Sequence, residues 1–131
     1  MSLVMVDTSV WIDFFRKGES RVSKELDELL AQDRVTLCGI IEMELLRGVR
    51  SNERSRLQNL LAALHYVETT RGDFIRAGEN LCQLREKGIT IPSTDALIAM
   101  ICIRSKIPLM TIDGHFDYIK TVKKHHPKNI V

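Results

Sequence analysis

The sequence predicts an α/β domain, a three-layer α/β/α arrangement around a central, mostly parallel sheet. Three observations carry that expectation. Short apolar runs suited to buried strands alternate with longer stretches of helical periodicity. The apolar runs stop abruptly at glycine or at acidic and hydroxyl residues. The segment from Ala96 to Ile103 is apolar on every side, as a helix at the centre of a domain must be.

Leu3 to Val6 reads as a buried strand that ends at Asp7-Thr8-Ser9, where a helix over Val10 to Phe15 begins. Ser20 and Ser23 precede Val22, Leu26, Leu29 and Leu30, predicting a second helix that ends near Gln32-Asp33. Val35 to Cys38 is a second strand. Gly39 breaks it, and Ile40 to Leu46 forms a short helix closed by Gly48. Ser51 is placed to cap a helix reaching Leu64, with Leu57, Leu60, Leu61 and Leu64 on one face. His65 to Glu68 is a third strand. A long helix is expected over Arg71 to Glu86, with Phe74, Ala77, Leu81 and Leu84 in register and Gly88 ending it. Ser93-Thr94-Asp95 opens the apolar helix after Pro92, and Ser93 or Thr94 is suited to cap it. Pro108 stops that helix, Leu109 to Ile112 is a fourth strand leading into Asp113, and Asn129 to Val131 is a candidate last strand.

The 131 residues suit one domain, 1–131, with no repeat or linker. The longest apolar run is much too short to cross a bilayer, so a cytoplasmic location is expected. Cys38, Cys82 and Cys102 form no CxxC pair and have no histidine at ligand spacing, which argues for buried reduced thiols over zinc or disulfides. A net charge of +2 identifies no partner. The basic end, Lys120, Lys123, Lys124, His125, His126 and Lys128, reads as a solvated tail or helix face.

Asp7, Glu44, Asp95 and Asp113 each sit where an apolar run ends or on a helix near its start. In open parallel sheets ligands bind beyond the carboxyl ends of strands, where Asp7 and Asp113 are expected. Taken singly, each acid has a structural explanation. Asp7 suits a helix cap, Asp95 gains from the macrodipole, and Asp113 starts an Asp-Gly turn. Periodicity does not decide between Glu44 and Glu42, and Asp117 competes with Asp113. A cluster of carboxylates is tolerated when a cation or shared protons relieve the repulsion. Oxygen ligands with no accompanying cysteine or histidine favour Mg²⁺ or Mn²⁺ over zinc. Phosphodiester cleavage is the natural reaction of such a centre.

Four segments, MVDTSVWID (5–13), IEMELLRG (41–48), STDALIA (93–99) and LMTIDGHF (109–116), resemble the PIN-domain ribonucleases, in particular VapC toxins of toxin–antitoxin pairs. The resemblance spans nearly the whole chain in order. It implies that Asp7, Glu44, Asp95 and Asp113 are the catalytic acids, with Asp7 and Asp95 as direct metal ligands. It further implies an endoribonuclease acting on RNA, a VapB-like antitoxin that neutralises it, and a homodimer. Thr8, Ser9 and Thr111 carry hydroxyls that can orient these carboxylates, and Arg16, Lys17, Arg47 and Arg50 are candidates for the RNA backbone. The alternative is a catalytically weak module that binds a basic peptide through the acidic pocket. Two phosphoryl-transfer folds of similar sheet order fit less well. Ser9 stands where a haloacid-dehalogenase-type phosphatase needs a second acid, and Lys106 lacks the following proline of a receiver domain.

Overall fold

The computed structural model describes residues 2–16 and 18–125. Four short parallel strands form the sheet: β1 (Val4–Val6), β2 (Val35–Cys38), β3 (His65–Val67) and β4 (Leu109–Met110), in the spatial order β3-β2-β1-β4. Val4 lies opposite Val35, Met5 opposite Leu109 and Thr36 opposite His65. Every residue of β1, β2 and β4 is buried, as expected of short apolar strands covered on both faces. β3 is the edge strand and keeps His65 and Tyr66 exposed. The direction of chain progression reverses at β1, whose neighbours are β2 and β4. That reversal opens a crevice at the carboxyl ends of β1 and β4, where Asp7 donates its backbone N–H to Met110 O at 2.9 Å.

Among the described residues six helices complete the three layers: α1 (Thr8–Arg16), α2 (Arg21–Ala31), α3 (Gly39–Gly48), α4 (Arg54–Ala62), α5 (Arg71–Glu86) and α6 (Ser93–Ser105). α2 starts because Ser20 Oγ accepts the Ser23 N–H at 3.0 Å, and it buries Leu26 and Leu29. Asp13 of α1 accepts from Ser23 Oγ at 3.0 Å and from Ser20 Oγ, which fixes the α1–α2 corner. α5 opens on a capping box, with Thr70 and Asp73 each accepting the other's backbone N–H. α6 is buried from Asp95 to Cys102 and is covered by α5, which explains its uniformly apolar sequence. Trp11, Phe116, Met5, Leu37, Ile98 and Ile101 are among the largest fully buried side chains of the core.

Several local expectations are corrected. Ser51 does not cap α4; it begins a 3-10 turn over Ser51–Glu53, and no side chain caps the helix that follows. Neither Ser93 nor Thr94 caps α6, whose preceding residue is Pro92. α6 ends before Pro108, at a left-handed Lys106 (φ 57°), with Ile107 N–H bonded to Cys102 O at 3.0 Å and Lys106 N–H to Ile103 O at 3.3 Å. This is a Schellman closure on a non-glycine residue, and Pro108 only follows it. Phe74 does not join the core but is 58% exposed. Cys38 and Cys102 are buried as expected, whereas Cys82 is exposed.

β4 is shorter than predicted, because Thr111 leaves the ladder to donate to Asp7. The predicted strand Asn129 to Val131 lies outside the described residues. A parallel bridge between Leu109 and Lys124 does extend pairing beyond β4. Among the described residues no helix is long and apolar enough to cross a membrane.

Candidate metal centre

Asp7 leaves β1 and turns the chain into α1, its backbone carbonyl accepting from Val10 N–H at 3.0 Å. Its side chain is turned into the crevice. Oδ2 accepts from Ser9 Oγ at 2.7 Å, from Thr111 Oγ1 at 2.9 Å and from Ser9 N–H at 3.4 Å. Thr111 Oγ1 in turn accepts Asp113 N–H at 3.0 Å, so the hydroxyls of Ser9 and Thr111 bind the end of β1 to the end of β4. Burial pushes the Asp7 carboxyl above its ordinary value, against the hydrogen bonds from Ser9 and Thr111.

Asp95 enters from the first turn of α6, and Asp113 from the loop after β4. His115 joins them. Its Nδ1 lies 3.0 Å from Asp95 Oδ2 and 3.1 Å from Asp113 Oδ1, while its backbone N–H donates to Asp113 Oδ1 at 2.9 Å. The Asp95 carboxyl is pushed up to about 6, first by burial and then by the negative charges of Asp7 and Asp113, with the His115 contact pulling the other way. Asp117, the rival to Asp113, points elsewhere. Its side chain is 65% exposed and pairs with Lys124.

Glu44 reaches the site from α3, where its Oε1 accepts from Thr8 Oγ1 at 2.8 Å. Thr8 adjoins Asp7, so this contact places Glu44 on the crevice side of α3. Gly48 has open space where a Cβ would stand, and Glu44 and Gly48 line one open groove of ≈ 770 Å³ with Arg16, Arg50, Phe15 and Ile12. Glu42 lines a separate hollow with Met43, Arg47 and Arg54. Of the basic candidates, Arg16 and Arg50 line the groove with Glu44, and Arg47 lines the hollow with Glu42; Lys17 lies outside the described residues. Beneath the acids, burial first and then the charges of Asp7 and Glu44 push the Cys38 thiol up to about 11, so it stays neutral.

The donor set fits a hard divalent cation. Asp7 and Asp95 are buried, Asp7 and Asp113 raise the Asp95 carboxyl by like charge, and no lysine or arginine is paired with any of the three among the described residues. A cation or shared protons relieve such a cluster. Ligand atoms of Asp95, Asp113 and His115 all lie within 4.8 Å of one another. A histidine, absent from the expected ligand set, thus stands beside two of the predicted acids. Spacing from cysteine gives no sign of this histidine; the signal is the position of His115 two residues after Asp113, on the turn that Asp113 caps.

The PIN domain family model matches residues 4–122. A VapC ribonuclease from Mycobacterium bovis is 30% identical over 125 residues, covering 92% of this chain and 93% of that protein. Among solved structures, VapBC2 from Rickettsia felis, bound to a promoter DNA fragment, matches with a TM-score of 0.75 at 23% identity, covering 94% of this chain and 97% of that one. A toxin–antitoxin complex from Klebsiella pneumoniae matches with a TM-score of 0.72 at 19% identity, covering 97% and 99% of the two chains.

Proposed function

Because the chain belongs to the PIN-domain family, we propose that it is a metal-dependent endoribonuclease of the VapC kind, one that cuts RNA phosphodiester bonds and is held inactive by a VapB-like antitoxin. The observation that carries this reading is the meeting of Asp95 and Asp113 at the β1/β4 crevice, where the charge of Asp7 acts on Asp95 and Glu44 is tied in through Thr8. Asp7, Glu44, Asp95 and Asp113 are the catalytic acids. Asp7 and Asp95 are the principal ligands, and Glu44 and Asp113 complete the acidic rim.

Asp7 and Asp95 would hold Mg²⁺ or Mn²⁺, which when bound would supply neutralisation of phosphate charge and activation of water for in-line attack on phosphorus. The protein's own groups prepare the geometry. Ser9 and Thr111 hold Asp7 by Oδ2, so that Oδ1 would be the oxygen offered to a bound ion. Thr8 holds Glu44 by one oxygen in the same way. Arg16 and Arg50, along the groove that Glu44 borders, take up backbone phosphates of the RNA. A basic side chain of the antitoxin suits the same acidic cleft. The working form is a homodimer in one cytoplasmic domain of residues 1–131.

The test uses protein purified free of antitoxin. RNA cleavage is expected with Mg²⁺ or Mn²⁺, to stop with chelator, and to fall by about 100-fold or more in folded Asp7→Asn or Asp95→Asn. Equal cleavage by the Asp7→Asn protein would sink the assignment.

A further inference from the structure

We infer that His115 Nδ1 is a direct metal ligand, and that this nitrogen biases the centre toward Mn²⁺ over Mg²⁺. The inference rests on the metal-dependent reading above and deepens it. Its basis is the placement of one ring nitrogen against two carboxylates, 3.0 Å from Asp95 Oδ2 and 3.1 Å from Asp113 Oδ1. An octahedral ion with bonds of about 2.1 Å sets adjacent donors roughly 3.0 Å apart, by the square root of two. Both nitrogen-to-oxygen separations have that length, which is also that of a hydrogen bond, so the distinguishing feature is that one nitrogen meets two carboxylates at once. Other described histidines differ: His65 and His125 each present Nε2 to the carboxylate of a single acid, Asp33 and Glu25, on other parts of the molecule.

The ring is also held for this role. Asp113 accepts the His115 backbone N–H at 2.9 Å, and Phe116, the next residue, is fully buried, so the turn that carries the imidazole is anchored on both sides. The His115 side chain is 46% exposed and sits at the solvent mouth of the cluster, whereas Asp95 is at its floor. Coordination chemistry then decides the preference. Mg²⁺ selects oxygen donors and gives up water reluctantly, while first-row transition ions accept imidazole readily. A carboxylate centre with one imidazole therefore has a larger Mn²⁺-over-Mg²⁺ affinity ratio than the same centre with oxygen alone.

The experiment loads the full-length, partner-free protein with Mn²⁺ and reads ¹⁴N modulation by electron spin echo, alongside Mn²⁺ and Mg²⁺ affinities by calorimetry. Wild type is expected to show a directly coordinated nitrogen. His115→Ala should lose that signal and on the order of 10- to 100-fold in Mn²⁺ affinity, with Mg²⁺ affinity scarcely moved. His115→Asp, which returns an oxygen donor, should recover metal binding with a smaller Mn²⁺-over-Mg²⁺ ratio and no nitrogen signal. Mn²⁺ that binds wild type without nitrogen modulation, yet is lost in Asp95→Asn, overturns the histidine assignment and leaves the carboxylate centre standing. Parallel loss of both metals in His115→Ala overturns the selectivity. Failure of wild type to bind Mn²⁺ at all overturns both readings.

Discussion

At Asp95, burial and two neighbouring negative charges act on one carboxylate, and the result links stability to pH and to metal. The native carboxyl titrates at about 6, against an ordinary value near 3.8. Between those values the folded chain binds more protons than the unfolded one, so metal-free stability falls as pH rises from about 4 to about 6 and stays reduced above. The gap between the two values corresponds to about 3 kcal/mol, part of which solvent at the open mouth of the cleft screens away. Asp95→Asn removes the penalty. In chelator at pH 7 the variant is expected to be more stable than wild type by about 2 kcal/mol, the difference closing below about pH 4. Thermal unfolding across that pH range checks it, and a variant less stable at pH 8 counts against the argument. Thr111 illustrates the same scale from the supporting side. Thr111→Val removes one of the bonds that hold Asp7 and should lower cleavage by about 10- to 100-fold with the fold retained.

Between elements, the strongest polar tie lies away from the crevice, where α5 meets the far end of α6. Asp73, fully buried, accepts from Arg104 Nε at 2.8 and 3.1 Å, from Arg76 Nη2 at 2.9 Å and from Thr70 N–H at 2.9 Å. Burial alone raises this carboxyl, but the bonds from Arg104, Thr70 and Arg76 outweigh it and hold it at about 2. Arg104 also donates to Glu68 O at 2.8 Å, so one guanidinium joins α6, α5 and the segment after β3. Arg104→Met leaves the buried carboxylate short of its main partner and should cost about 3 kcal/mol at pH 7. A carboxyl depressed in the native state gives stability present above the unfolded pKa and lost as pH falls through the folded one. The penalty of the variant should therefore shrink toward pH 2 in urea titrations. RNA cleavage at temperatures where the variant stays folded should be kept, because Asp95 lies at the opposite end of α6.

The same elements differ in how far they are legible along the chain. β2 and α5 have the predicted bounds because their signals are local: an apolar run ending at Gly39, and a helical periodicity that Gly88 ends. The turn at Lys106 is not legible, because a left-handed cap on lysine has no local mark. Nor is the exposure of Phe74, because helical register alone does not say which faces remain uncovered. Asp7, Asp95 and Asp113 are visible at a strand end or helix start, whereas Glu44, midway along α3, is not distinguished from Glu42 by periodicity. The contacts that join them, Thr8 to Glu44 and His115 to Asp95, depend on β1 lying between β2 and β4, and strand order is not written locally.

For the whole molecule, the acids come from opposite ends of the chain, from Asp7 to Asp113, and meet only when β1 pairs with β4 across most of the sequence. An unfolded chain keeps no such cluster, so an ion that binds the native centre has little affinity for the denatured state. Binding must then appear as global stability. At a free metal concentration of 100 times Kd the gain is about 2.7 kcal/mol. The urea midpoint of wild type is expected to rise by the equivalent of that gain on adding Mn²⁺, with the slope m unchanged, since the same surface is exposed on unfolding with or without the ion. Asp95→Asn should show almost no metal-dependent shift and start from the higher metal-free midpoint, so the two proteins exchange order as metal is added. An equal rise in Asp95→Asn would place the bound ion somewhere other than the β1/β4 crevice. A rise accompanied by a smaller m would mean that the ion also organises the unfolded chain, against a centre assembled only by the complete fold.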